Sequence, residues 1–110
     1  MIKTTKTFWA KIYVSGPLDV IRQACRKSCL EEGLCVTIEP TTFIYTGGEE
    51  RGTVVGLVNY PRFPSTQDKI YKRARKLALL ILEKTYQHSV MVMTPDETWW
   101  FSKKDEEKKR

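Results

Sequence analysis

The first clear periodicity in the chain is two. In residues 6–14 (KTFWAKIYV), Phe8, Ala10, Ile12 and Val14 fall on one face and Trp9, Lys11 and Tyr13 on the other. That alternation predicts a half-buried strand. After Ser15-Gly16-Pro17 the period changes. Leu18, Ile21, Cys25 and Cys29 recur at helical spacing, while Arg22, Gln23, Arg26 and Lys27 take the opposite side. Ser15 or Gly16 is placed to cap this helix, Pro17 suits its first turn, and Asp19 favours the positive end of the dipole. Gly33 stands where a helix C-terminus commonly needs a left-handed residue.

Residues 34–46 (LCVTIEPTTFIYT) are rich in β-branched and aromatic types, which predicts a second strand, with Pro40 marking a bulge or an edge. Residues 47–52 (GGEERG) read as a turn and residues 53–60 (TVVGLVNY) as the returning strand of a hairpin. The connector Pro61-Arg62-Phe63-Pro64 fits neither element type. Ser65 or Thr66 then caps a second helix with Asp68 in its first turn. Its stripe is Ile70, Ala74, Leu77, Ala78 and Ile81, against a basic face of Lys69, Lys72, Arg73 and Lys76. Leu79, Leu80 and Leu82 add apolar surface outside that stripe, more than one sheet face can cover, and so predict a second burial partner. His88 reads as the end of this helix, where a cationic ring suits the dipole. Residues 90–93 and 98–101 read as short strands joined by a turn at Pro95-Asp96.

The resulting order, β-α-β-β-α-β plus a C-terminal hairpin, predicts an α+β fold of the ferredoxin-like, split-βαβ kind, with two helices on one face of an antiparallel sheet. The other face is left open and carries Trp9 and Tyr13. An aromatic face of this kind ordinarily meets another subunit, a ligand or stacked bases.

Composition narrows the function classes. With 110 residues, 41% of them hydrophobic, the chain has the size and core content of one domain. We place that domain at residues 1–102, followed by a charged tail at 103–110 (KKDEEKKR). The longest apolar run, residues 77–82, is far short of the roughly 20 residues a membrane helix requires. The start, MIKTTKTFW, lacks the apolar core of a secretory signal, so a cytoplasmic, membrane-free protein is expected. The net charge of +6, part of it in the tail, permits an anionic partner. It is not the dense basic stripe of a dedicated nucleic-acid binder. The three cysteines Cys25, Cys29 and Cys35 form no CxxC pair, and the one histidine, His88, is distant, so no metal site is expected. Reduced thiols are the expected state. No Walker loop or nucleophile elbow is present, and nothing in the sequence requires a cofactor.

The most suggestive stretch for chemistry is residues 45–53 (YTGGEERGT). Gly47 and Gly48 free backbone N–H groups, Tyr45 and Thr46 offer hydroxyls, and Glu49 and Glu50 lead into the next strand. Adjacent strand residues point to opposite faces, so only one of the two carboxylates can face a given pocket. A phenol and a carboxylate together suit a cationic or polyhydroxylated ligand, such as a sulfonium or a ribose. The plainer reading of the same residues is a hairpin turn with solvated charges. Ser15, where a strand feeds a helix, is a second candidate ligand contact, since backbone donors there hold anions. The string KIYVSGP around it is also similar to the opening of nucleoside deoxyribosyltransferases, over seven residues.

Taken with the element order, the stretch GLCVTIEPTTFIYTGGEERGTV resembles the phage S-adenosylmethionine (SAM) lyases, long described as SAM hydrolases. The resemblance implies a ferredoxin-like subunit in a trimer related to the PII-type signalling proteins, with ligand held between subunits. It further implies that Tyr45 matches the tyrosine ending strand two and Glu50 the glutamate entering strand three, as the two catalytic residues. Thr46, Gly47, Gly48 and Ser15 would contact the adenosyl-type ligand. Two other function classes remain open on the sequence. One is a non-enzymatic nucleotide- or protein-binding regulator on the same oligomeric body. The other is an RNA-binding sheet, for which strand three (TVVGLVNY) lacks the basic-glycine-aromatic pattern.

Overall fold

The computed structural model describes residues 1–103. Of the tail reading, residues 104–110 lie outside them. The elements are β1 (Trp9–Ser15), α1 (Leu18–Glu32), β2 (Thr37–Tyr45), β3 (Gly48–Val58), α2 (Gln67–Thr85), β4 (Ser89–Met93) and β5 (Thr98–Ser102). All strands join one antiparallel sheet in the order β2-β3-β1-β4-β5. The first four strands reproduce the ferredoxin-like order, and the C-terminal hairpin adds β5 to the β4 edge. β2 is the other edge strand. Pro40 therefore withholds its missing N–H donor from no neighbouring ladder beyond β3.

Both helices cover one face. Ala10, Ile12 and Val14 of β1, Val55 and Leu57 of β3, and Val90 and Val92 of β4 point toward them and are buried. Opposite stand Ile21, Ala24 and Cys25 of α1 and the predicted α2 stripe of Ile70, Ala74, Leu77, Ala78 and Ile81, all buried. Gly33 takes the left-handed conformation (φ 69°) and its N–H bonds the Cys29 carbonyl at 2.9 Å, closing α1 as the sequence predicts. Thr66 caps α2 by accepting from the Lys69 N–H at 3.2 Å.

Four expectations are corrected. The α1 N-cap is Pro17, in an extended conformation and without a side-chain cap, so neither Ser15 nor Gly16 caps. Ser15 belongs to β1. His88 does not end α2: the helix closes at Thr85 with Tyr86 in the left-handed region (φ 59°), and His88 follows in the loop. The apolar excess at the end of α2 is largely absorbed within the chain. Leu82 is buried and Leu80 packs on the core, leaving Leu79 as the exposed leucine of the three. Finally, the hairpin turn is the pair Thr46-Gly47, with Gly47 at φ 91°, and β3 begins at Gly48. The segment read as a long turn is mostly strand.

That last difference sets the shape of the site. β1 and β3 pair from Trp9↔Val58 to Ser15↔Gly52, whereas β2 and β3 stay paired out to Tyr45↔Gly48. Residues 48–51 therefore have a partner on the β2 side and none on the β1 side, forming a two-stranded ribbon that overhangs the end of the sheet.

At the opposite end, Asn59 is the anchor. Its backbone N–H bonds the Phe8 carbonyl at 2.9 Å. Its side-chain amide donates to Thr5 Oγ1 (3.1 Å) and the Lys6 carbonyl (2.8 Å) and accepts from the Ser65 N–H (2.7 Å). One buried amide thus ties the chain start to the α2 entry. Asp96 does the same for the β4–β5 turn, accepting from Tyr71 Oη (2.9 Å) and Gln67 Nε2 (2.7 Å) of α2.

Candidate functional site

The strand register assigns each candidate residue to a face. Tyr13 pairs with Val54 and Ser15 with Gly52, so the even-numbered residues of β3 share the open face with Trp9, Lys11, Tyr13 and Ser15 of β1. Glu50 is on that face, and Glu49 on the other. Across the ribbon Phe43 lies directly opposite Glu50 and Tyr45 opposite Gly48. Tyr45 and Glu50 are thus diagonal neighbours on one surface. β4 and β5 add Ser89, Met91 and Trp100 to it, since Tyr13 pairs with Met91 and Met91 with Trp100.

Where the ribbon overhangs the end of β1, this face is hollowed. A concavity of about 380 Å³ is walled by Tyr13, Phe43, Met91 and Trp100, with Ser15, Glu50 and Ser89 as its polar side chains. Glycines make its shape possible. A Cβ at Gly52 would collide with the Phe43 ring and lie 2.8 Å from the Val14 carbonyl oxygen. The missing side chain leaves the space that the Phe43 ring occupies. At Gly48 the Tyr45 ring occupies the corresponding space, its hydroxyl 3.3 Å from where a Cβ would stand. Gly48 therefore serves as a seat for the Tyr45 ring, in addition to any backbone donation.

The predicted site residues separate into three groups. Ser15 and Glu50 line one concavity. Tyr45, 56% exposed, and Gly48 stand beside it toward the ribbon tip. Thr46 and Gly47 form the turn itself, beyond the concavity and exposed. Ser15 reaches the site from the strand and not as a helix cap. Phe43, Ser89, Met91 and Trp100 escaped sequence reasoning as site residues. The alternation in residues 98–101 and the predicted C-terminal hairpin were available as signals for Trp100, but the β4–β5 register that puts it opposite Met91 was not. Tyr45 on the ribbon and Trp100 on the C-terminal hairpin are exposed on this face, and Ile44 is exposed on the other side of the ribbon.

Elsewhere the side chains make no comparable catalytic grouping. Cys25 is buried, and burial raises its thiol to about 11. Cys29 is half-buried and its thiol is also raised by desolvation. The exposed Cys35 donates to Tyr60 Oη at 3.3 Å. Among the described residues no three His, Cys, Asp or Glu side chains are grouped as a metal site requires, and no helix is long and apolar enough to cross a membrane.

No family model and no curated protein matches the chain in sequence. Solved structures do match in fold. A phage SAM lyase in its apo state superimposes with a TM-score of 0.71 at 15% identity, over 86% of this chain and 88% of that one. A phage SAM lyase in complex with S-methyl-5′-thioadenosine gives a TM-score of 0.75 at 13% identity, over 93% and 94% of the two chains. The fold of this protein is that of the phage SAM lyases, preserved across nearly the whole chain although few of the residues are shared.

Proposed function

We propose that this protein cleaves SAM at a site on the open sheet face, releasing homoserine lactone and methylthioadenosine. The observation that carries the reading is the concavity holding Glu50 among aromatic walls, in a fold shared with a lyase seen bound to S-methyl-5′-thioadenosine. Fold alone does not carry an activity, so the weight rests on this grouping of side chains.

The chemistry asks little of the protein. The substrate's own carboxylate oxygen attacks its γ-carbon, the Cγ–S bond breaks, and its electron pair neutralises the sulfonium as a thioether. No water and no external base take part. The chain supplies a compact pose, which converts a floppy intramolecular reaction into a pre-oriented one. Glu50 orients the ammonium or sulfonium end, Tyr45 positions the substrate from the ribbon, and Thr46 and Gly47 contact it at the turn. Gly48 keeps the Tyr45 ring in place, and Ser15 offers a hydroxyl from β1. Trp100 and Tyr13 present flat apolar surfaces suited to an adenine. A second copy of the chain, in a trimer, completes the pocket by covering the ribbon. The ligand class is adenosyl-type, and no cofactor, membrane or nucleic acid is involved.

Incubation of the purified protein with SAM is expected to yield methylthioadenosine by chromatography, and Glu50→Gln to abolish it while the melting temperature stays within a few degrees. A SAM pool unchanged by the wild type overturns the lyase reading. In that case a melting temperature raised by SAM or methylthioadenosine supports the second reading, a ligand-binding regulator without turnover. RNA binding is disfavoured by the open face of β3, where Gly52, Val54, Gly56 and Val58 stand in place of stacking aromatics.

A further inference from the structure

A second cavity lies at the other end of the molecule, on the helix side, between the end of α1 and the entry to α2. It measures about 310 Å³, at the small end of ligand pockets. Leu34, Leu57, Phe63 and Ile70 give it apolar walls. Two polar groups in its lining lack partners. Ser65 is held in place by its backbone bond to Asn59 Oδ1, yet its Oγ is buried and has no hydrogen-bond partner among the described residues. A buried hydroxyl without a partner is unfavourable, and an acceptor entering the cavity relieves it. Arg73, which the helical periodicity assigns to a solvated basic face, is instead half-buried in the cavity wall. The ion pair found among the described residues joins Lys76 to Glu32, so Arg73 has no carboxylate of its own. Phe63 is 67% exposed at the rim, with Arg62 over its ring at 5.4 Å, leaving an apolar surface uncovered.

We propose that this cavity binds a small apolar monocarboxylate, ring-sized, its body against Leu34, Leu57 and Phe63 and its carboxylate on Arg73 and Ser65. The planar guanidinium matches a carboxylate with two parallel bonds. One cation and one hydroxyl amid apolar walls suit a single negative charge better than a phosphate dianion, which requires more donors. The site is independent of the sheet-face concavity: it lies against the far end of β3, where Leu57 pairs with Ala10, whereas Glu50 lies beyond the last β1 pair.

Fluorine NMR of 4-(trifluoromethyl)benzoate titrated with the full-length protein tests this. We expect saturable binding, weakened about ten- to hundredfold in Arg73→Gln and by a smaller factor in Arg73→Lys, which keeps the charge but not the two parallel bonds. The neutral 4-(trifluoromethyl)benzamide is expected to bind at least several-fold more weakly. In the wild type, the benzoate is expected to slow iodoacetamide labelling of Cys35, an exposed cysteine in the cavity lining. This readout does not depend on any variant folding. Binding equal for acid and amide, binding untouched in a folded Arg73→Gln, or Cys35 labelling at an unchanged rate under saturating benzoate each overturns the proposal, as does the absence of saturable binding.

Discussion

Gly52 and Gly47 show how differently two glycines in one hairpin can be constrained. At Gly52 the limit is space, because Phe43 and the Val14 carbonyl already fill the position of a Cβ. Gly52→Ala is therefore expected to cost about 1–3 kcal/mol by overpacking and to push Phe43 off its seat, lowering the melting temperature and perturbing the ring resonances of Phe43 and Tyr13. At Gly47 nothing lies within 4 Å, but φ is 91°. Gly47→Ala should thus cost on the order of 1 kcal/mol through backbone strain and leave the Phe43 resonances unmoved. Cys25 supplies a pH dependence. Its thiol rises from an ordinary value of 9.0 to about 11 on folding, so the unfolded chain loses this proton first. The stabilisation is whole below about pH 9 and is lost as pH climbs toward 11. A Cys25→Ala variant is expected to show a shallower fall in stability across that window in urea melts at stepped pH. An identical slope would refute the assignment. At this scale the sequence was informative where alternation governs: it showed that Glu49 and Glu50 cannot share a pocket, while the choice of Glu50 came from the resemblance and not from the alternation. It was uninformative about the turn, which it spread over residues 47–52, whereas the structure turns at Thr46-Gly47 and pairs Tyr45 with Gly48.

Among the elements, α2 was the most legible, because its buried stripe repeats over about four turns and Thr66 supplies a capping hydroxyl. Its C-terminus was not. The helix ends on Tyr86, a bulky residue in the left-handed region, where no sequence rule expects one. Its ring lies 5.9 Å from Lys103 Nζ, and the Lys103 N–H bonds the His88 carbonyl at 2.9 Å, so the end of the described chain packs back over this turn. Tyr86→Gly removes the left-handed penalty and one exposed cation–π contact. We expect a net gain of about 0.5–1 kcal/mol, read as a rise of a few degrees in melting temperature. The leucines beyond the stripe misled the sequence reading for a related reason. Helical spacing says which side of α2 a residue occupies but not how far β4, the connector and α1 wrap around it, and Leu82 proves to lie within that wrap. For Arg73 the error ran the other way, a charged residue assigned to water and found in a cavity wall.

For the whole molecule, the order of element types was enough to give the layered α+β architecture, because a split βαβ pattern of this length has few compact solutions. The sequence placed β5 beside β4 as a C-terminal hairpin, but it did not carry the face of that hairpin through to the open surface, and so Trp100 was not assigned to the candidate site. Nor did it reveal the mismatch in strand lengths that hollows the face. The proposed association of copies belongs to this scale. A two-stranded ribbon bearing exposed Ile44 and Tyr45 gains by being covered, and a closed ring of identical chains is the ordinary way to cover it. Light scattering is expected to give three times the chain mass of 12.8 kDa. A monodisperse single-chain mass would remove the shared pocket from the functional proposal.

The four residues by which β3 outruns β1 also bear on how this protein tolerates change. Positions 53–56 are clamped between β1 and β2, and Thr53 and Val55 are also roofed by helices, so nearly any replacement at those two should register as lost abundance. Positions 48–51 contribute little to that clamp. In a saturation-mutagenesis library, the overhang should accept diverse residues without loss of expressed protein, while the proposed SAM cleavage should fail at Glu50. The chain would then carry adjacent stretches under separate pressures, one for persistence in the cell and one for the proposed reaction.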